Sequence, residues 1–135
     1  DFHRPQEDLS DQVSRLSLQA VEDGVRRYIM GVAKQDKAML AGLFAPTAHI
    51  TGIDEGKPVS VPRDRWIEVV CAPDKAGAGA PDYRISSVTI VDTVACAFVE
   101  TVYGGFRYCD ALSFVAAGSG IQVSGKTFHQ YPKAT

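Results

Sequence analysis

The sequence predicts an α+β domain in which three helices of the N-terminal half pack on a curved, mostly antiparallel sheet. Apolar residues recur at helical spacing early in the chain, beginning with Leu18, Val21, Val25, Tyr28, Ile29 and Val32. Between Tyr83 and His129, strand-like runs follow one another with only short turn signals between them, the pattern of a meander. In one of these runs, Phe106 to Val115, Asp110 shares a face with Tyr108, Leu112 and Phe114, because strand side chains alternate between faces. A carboxylate in that company must be hydrogen-bonded, paired or protonated, and groups of that kind concentrate in pockets.

The 135 residues suit one domain, long enough to bury a core without disulfides or metal. A hydrophobic content of 45% against 22% charged residues is ordinary for a globular protein. The formal charge of -2 comes from intermingled acids and bases. No basic stripe follows a phosphate backbone and no polybasic anchor meets a membrane, so neither nucleic acid nor membrane is an expected partner. Cys71, Cys96 and Cys109 are an odd, widely spaced set without CxxC, which fits neither a disulfide framework nor a zinc site. This usage points to a reducing cytoplasm, while a chain that begins at Asp1 rather than Met also fits a processed, exported protein. His3, His49 and His129 stand far apart with no ligand spacing, and no phosphate-cradling glycine loop precedes a helix. Neither a metal nor a cofactor is expected.

Residues 1–14 mix charges, Pro5 and few apolar anchors, and read as a flexible extension to a domain spanning 15–135. The first helix carries the apolar stripe from Leu18 to Val32, with Gly31 marking a close approach. Asp36 is the N-cap of a short second helix bearing Met39, Leu40, Leu43 and Phe44, which Pro46 stops. Ala48 to Ile53 reads as a strand, turned through Asp54-Glu55-Gly56-Lys57 into a second strand that runs through Val61. Pro62 opens a third helix with Trp66, Ile67 and Val70. Ala72 to Pro81 is small-residue and Gly/Pro-rich, a flexible loop of the kind that covers sites. The meander then takes Tyr83 to Val91, Val94 to Tyr103, Phe106 to Val115 and Ile121 to His129. Val94 to Tyr103 is apolar on both faces, so helices are expected on one side and a second copy of the chain on the other.

Tyr28, on the apolar face of the first helix, can offer its hydroxyl to the cavity that holds Asp110. Trp66, Tyr108, Phe44, Ile50 and His129 complete the expected lining. His49 would be a sensible general base, but alternation that turns Ala48, Ile50 and Gly52 inward turns it outward. Cys109 faces away from Asp110 on the same argument. A purely structural reading of Asp110 ties it to backbone amides or to an arginine such as Arg84 or Arg107.

Several stretches resemble the NTF2-like superfamily of cone-shaped α+β domains, most closely its SnoaL-like and lumazine-binding-like branches. They are Tyr28-Ile29-Met30-Gly31, Asp36 with Leu40, Leu43-Phe44-Ala45-Pro46-Thr47-Ala48, Tyr108-Cys109-Asp110 with Phe114, and Gly125-Lys126-Thr127-Phe128. The resemblance covers about Ser17 to Tyr131 and implies the cone-shaped fold; the homodimer is expected from the open apolar face of the sheet. The resemblance also implies a range of functions, from cofactor-free isomerases, dehydratases and hydrolases to binding modules without chemistry. Aligned with the isomerase-like Asp-x-x-x-Phe strand, Asp110 falls where a protonated acid and a tyrosine polarise a carbonyl, an arrangement known from ketosteroid isomerase. The proton-shuttling acid of that pattern falls on Gly52, so the base is missing; Asp54 lies two residues further on, in a turn. The leading expectation is a cavity that binds a small, largely apolar or aromatic molecule, with Asp110 and Tyr28 as the groups that would act on it. The alternative is a non-catalytic dimerisation module whose cone is filled by its own side chains.

Overall fold

The computed structural model describes residues 13–133. Most of the expected N-terminal extension lies outside the described residues; at its end, the Ser14 amide donates to the Gly118 carbonyl at 3.0 Å.

Helix α1 spans Leu18–Ala33, and Ser17 caps it by accepting from the Ala20 amide. Its buried stripe runs Val21, Gly24, Val25, Tyr28 and Ile29, while Leu18, expected on that stripe, is 53% exposed at the solvent end of the first turn. Helix α2 spans Lys37–Leu43 with the Asp36 carboxylate accepting from Met39, as the sequence predicts. A Cβ on Gly31 would lie 2.6 Å from Leu40, so the two helices cross where glycine leaves room.

Strands β1 (His49–Asp54) and β2 (Lys57–Pro62) form a hairpin. Its two-residue turn puts Glu55 and Gly56 at positive φ, the geometry that matches strand twist. Helix α3 (Arg63–Val70) follows directly, with Pro62 in the N-cap position and Trp66, Ile67 and Val70 buried. The stretch expected to be a loop through Pro81 is shorter: a 3-10 turn covers Pro73–Lys75, and β3 (Gly79–Val91) starts early because Gly79 pairs with Tyr103. Strands β4 (Val94–Tyr103), β5 (Phe106–Ala117) and β6 (Gly120–Gln130) complete the meander.

The sheet has six strands in the order β2-β1-β6-β5-β4-β3, with β1 and β6 parallel and the other neighbours antiparallel. Its inner face meets the helices through Ala95, Ala97 and Val99 of β4 and Leu112, Phe114 and Ala116 of β5, all buried. The opposite face leaves Val94 and Phe98 exposed.

One irregularity decides what the inner face presents. Ser113 pairs with Gly125 but Phe114 pairs with Val123, so Ser124 is an extra residue on β6, a bulge. Ahead of it Ile121 and Val123 are buried; beyond it the inward row becomes Lys126, Phe128 and Gln130. Unbroken alternation from Ile121 would have pointed His129 inward and Lys126 outward.

Candidate functional site

The site stands at the wide end of the interior, where α1, α3, β1, β5 and β6 face one another. The helical spacing of α1 brings Tyr28 to Asp110, and the tyrosine hydroxyl donates to the carboxylate Oδ2 at 2.5 Å. The Nζ of Lys126 donates to the same hydroxyl at 3.0 Å. Asp110 and Lys126 are 2% and 7% exposed, so an acid and an amine are buried with a phenol between them. Lys126 also lies 4.5 Å from the centre of the Trp66 ring and 4.9 Å from that of Tyr28. Aromatic faces of this kind replace part of the hydration that burial removes from a cation.

Burial pushes the Tyr28 hydroxyl well above the usual tyrosine range, and the neighbouring Asp110 charge and hydrogen bond add to the shift. Tyr28 therefore keeps its proton. Burial pulls Lys126 below the usual lysine range, and the nearby Asp110 opposes it. Among the described residues the amine makes no hydrogen bond beyond that to Tyr28.

A cavity of about 180 Å³ adjoins these groups, lined by Ile50, Val61, Trp66, Tyr103, Tyr108 and Phe128 together with Tyr28, Asp110 and Lys126. Val69 and Val102, also in its wall, are 40% and 41% exposed, so the cavity reaches the surface beside them. The hydroxyl of Tyr103, a wall residue, is buried and has no hydrogen-bond partner among the described residues. Such an atom ordinarily finds one. At a second polar corner, Gln130 donates to the Tyr108 hydroxyl at 2.9 Å and to Asp54 Oδ1 at 3.2 Å, while accepting from the Glu55 amide. Asp54, exposed at the last residue of β1, also touches the cavity.

Tyr28, Asp110, Trp66, Tyr108 and Ile50 thus come together. Two expected lining residues are placed elsewhere. Phe44 is fully buried behind the wall, packing 4.8 Å from Trp66 and edge-on to Tyr28, where it fixes the orientation of both rings. His129 is exposed on the outer side of the sheet and packs on Tyr131 at 4.8 Å, because the bulge at Ser124 reverses the phase of β6. His49 is also exposed, as alternation predicts. Arg84 and Arg107, offered as partners for Asp110, instead reach Glu100 on the outer surface.

The residue that sequence reasoning missed as a site group is Lys126. The available signal was the lone Gly125 inside a strand pattern, which marks a bulge or a close backbone approach and so a change of phase.

The arrangement departs from the isomerase pattern at two points. A Cβ on Gly52 would lie 2.3 Å from the Phe128 carbonyl oxygen and 2.6 Å from its ring, so Phe128 fills the space that a carboxylate at that position would need. Tyr28 also spends its proton on Asp110 instead of directing it at a ligand, which leaves the free donors to Lys126.

A profile of the family described as "Putative lumazine-binding" matches residues 17–129. No curated protein matches the chain. Among solved structures, an NTF2-like protein of unknown function from Silicibacter pomeroyi is 26% identical, with a TM-score of 0.78 over 84% of this chain and 95% of that one. An NTF2-like protein of unknown function from Shewanella baltica is 24% identical, with a TM-score of 0.75 over 85% and 94%. A domain of unknown function with a cystatin-like fold from Nostoc punctiforme, at 15% identity, has a TM-score of 0.66 over 85% and 77%. These likenesses concern the fold: helices on a six-stranded sheet of mixed pairing.

Proposed function

The chain belongs to the family described as "Putative lumazine-binding", and from that membership we propose that it binds a small, largely apolar or aromatic molecule in the cavity between helices and sheet. The observation that carries this reading is an apolar hollow whose wall holds the Lys126 amine, with a single hydrogen bond among the described residues, and Tyr103, whose hydroxyl has none among them. A side-chain-filled interior, as the alternative of a dimerisation module requires, would leave no such hollow. The size sets the occupant's scale. An apolar cavity of roughly 150 Å³ takes benzene in another protein, so about 180 Å³ takes one ring with a substituent, and a larger molecule would project past Val69 and Val102. The occupant carries an oxygen acceptor toward Lys126. A carbonyl or carboxylate on an aromatic ring meets these requirements, and so does the carbonyl-bearing bicycle of lumazine.

Whether the site turns its ligand over depends on the Tyr28, Asp110 and Lys126 group. In the enzymatic form of the reading it acts on a carbonyl compound as a cofactor-free isomerase, dehydratase or hydrolase. A second part of the proposal is a homodimer through the outer sheet face, supported by the exposed Val94 and Phe98 on β4. Phe98→Glu should convert a dimer into a monomer in sedimentation velocity with the ligand site unchanged.

Trp66 is the only tryptophan and lines the cavity, so its fluorescence reports on occupancy. Titration with acetophenone, benzoate and lumazine should give saturable quenching by at least one of them, and Val61→Phe, which fills the cavity, should abolish it. Linear, unsaturable quenching by all three in the native protein contradicts the reading.

A further inference from the structure

We propose that the Lys126 amine is a nucleophile that forms an imine with a small aldehyde or ketone bound in the cavity. This rests on the reading that the cavity takes a small, largely apolar occupant, and it names the carbonyl class of that occupant. Three features of the geometry carry it. The amine ends in the wall of an apolar hollow, so a bound carbonyl carbon can come within reach of its lone pair. Its one partner among the described residues, the Tyr28 hydroxyl at 3.0 Å, is in turn hydrogen-bonded to Asp110, and this chain of groups can carry a proton to and from the reacting atoms. The aromatic walls exclude most of the water that competes for the carbonyl and hydrolyses an imine. Burial also favours the uncharged, nucleophilic amine, as for other desolvated lysines.

The step balances without any further reagent. The nitrogen lone pair forms the C–N bond while the carbonyl π pair moves onto oxygen. The proton lost by nitrogen reaches that oxygen through the Tyr28 hydroxyl, giving a carbinolamine. The C–O bond then breaks, and the oxygen leaves as water with a proton delivered along the Tyr28 and Asp110 relay. The remaining N–H proton returns to the relay, leaving a neutral imine. Overall, amine and carbonyl give imine and water, with no change of oxidation state.

The test uses the whole chain with benzaldehyde as probe and cyanoborohydride to trap the imine. The expected result is one reduced benzyl adduct per chain, mapped to Lys126, forming at least about tenfold faster than adducts on exposed lysines such as Lys57 and Lys75. Lys126→Arg should lose this adduct, and Tyr28→Phe should slow it by about 100-fold. The native protein decides the matter even if either variant fails to fold. Saturable quenching with label spread only over exposed lysines overturns the imine and leaves the cavity reading intact. No quenching and no Lys126 adduct overturns both.

Discussion

The two ends of the interior share α1, β5 and β6 and differ in almost everything else. At the closed end Val21, Val25, Phe114 and Val123 are essentially without exposure, and a Cβ on Gly24 would sit 2.9 Å from the Phe114 ring. At the open end the same strands present Asp110 and Lys126, and a hollow remains between them and Tyr103. The division on β6 comes at Ser124. The contrast teaches that a dry, tightly packed half can hold a half whose buried polar groups cost stability, and that one extra residue in a strand is enough to change from one to the other.

If stability resides chiefly in the closed end, the largest loss should come from Phe114→Ala. Removing a fully buried aromatic side chain should cost about 4 kcal/mol in urea unfolding. The polar end should respond less. Asp110→Asn leaves the Lys126 amine without its acidic counterpart and should cost about 3 kcal/mol. Pairing it with Lys126→Met should give less than the sum of the single losses, since the two groups are coupled through Tyr28. A larger loss at Asp110 than at Phe114 would break the comparison. Gly52→Ala should cost about 2 kcal/mol, because the new Cβ meets backbone as well as the Phe128 ring.

The smallest effect depends on pH. The folded state holds the Lys126 pKa below the ordinary 10.5, so between the two values the unfolded chain binds the extra proton and stability rises with pH. That contribution is complete above 10.5 and is lost as pH falls through the folded value. Tyr28 has the opposite sign: its raised pKa contributes stability that is present below 10.0 and is lost as pH rises through the folded value. Tyr28 and Asp110, which face Lys126, are present both in the native protein and in Lys126→Met. The native protein should therefore gain stability on Lys126→Met as pH rises toward 10, measured by urea unfolding at a series of pH values.

Much of this contrast was legible in the sequence. Period two along β5 put Asp110 on the inner face with Leu112 and Phe114, and helical spacing brought Tyr28 to the same side. The order of helices and strands follows the expected one, and the pattern at Asp36 gave the α2 cap. What could not be read was register. Regular alternation carried through Ser124 gives His129 the place that Lys126, Phe128 and Gln130 take, because a bulge leaves hydrophobic content unchanged while reversing the phase. The pattern around α2 carries Phe44 into the core, but which aromatic forms the wall and which stands behind it depends on packing depth, and Trp66 is the one in the wall. The structural reading of Asp110, with backbone amides or an arginine such as Arg84 or Arg107 as partner, does not anticipate Tyr28; both arginines turn to Glu100 on the outer face.

The claim on which the rest depends is that the open end is a hollow kept for a ligand, with its polar groups directed at one. The most direct measurement is a crystal structure of the protein soaked with acetophenone. Electron density for one ring against Trp66, with its oxygen within hydrogen-bonding distance of Lys126, is the predicted result. A hollow closed by Tyr103 and Phe128, with Lys126 turned outward to solvent, would contradict it.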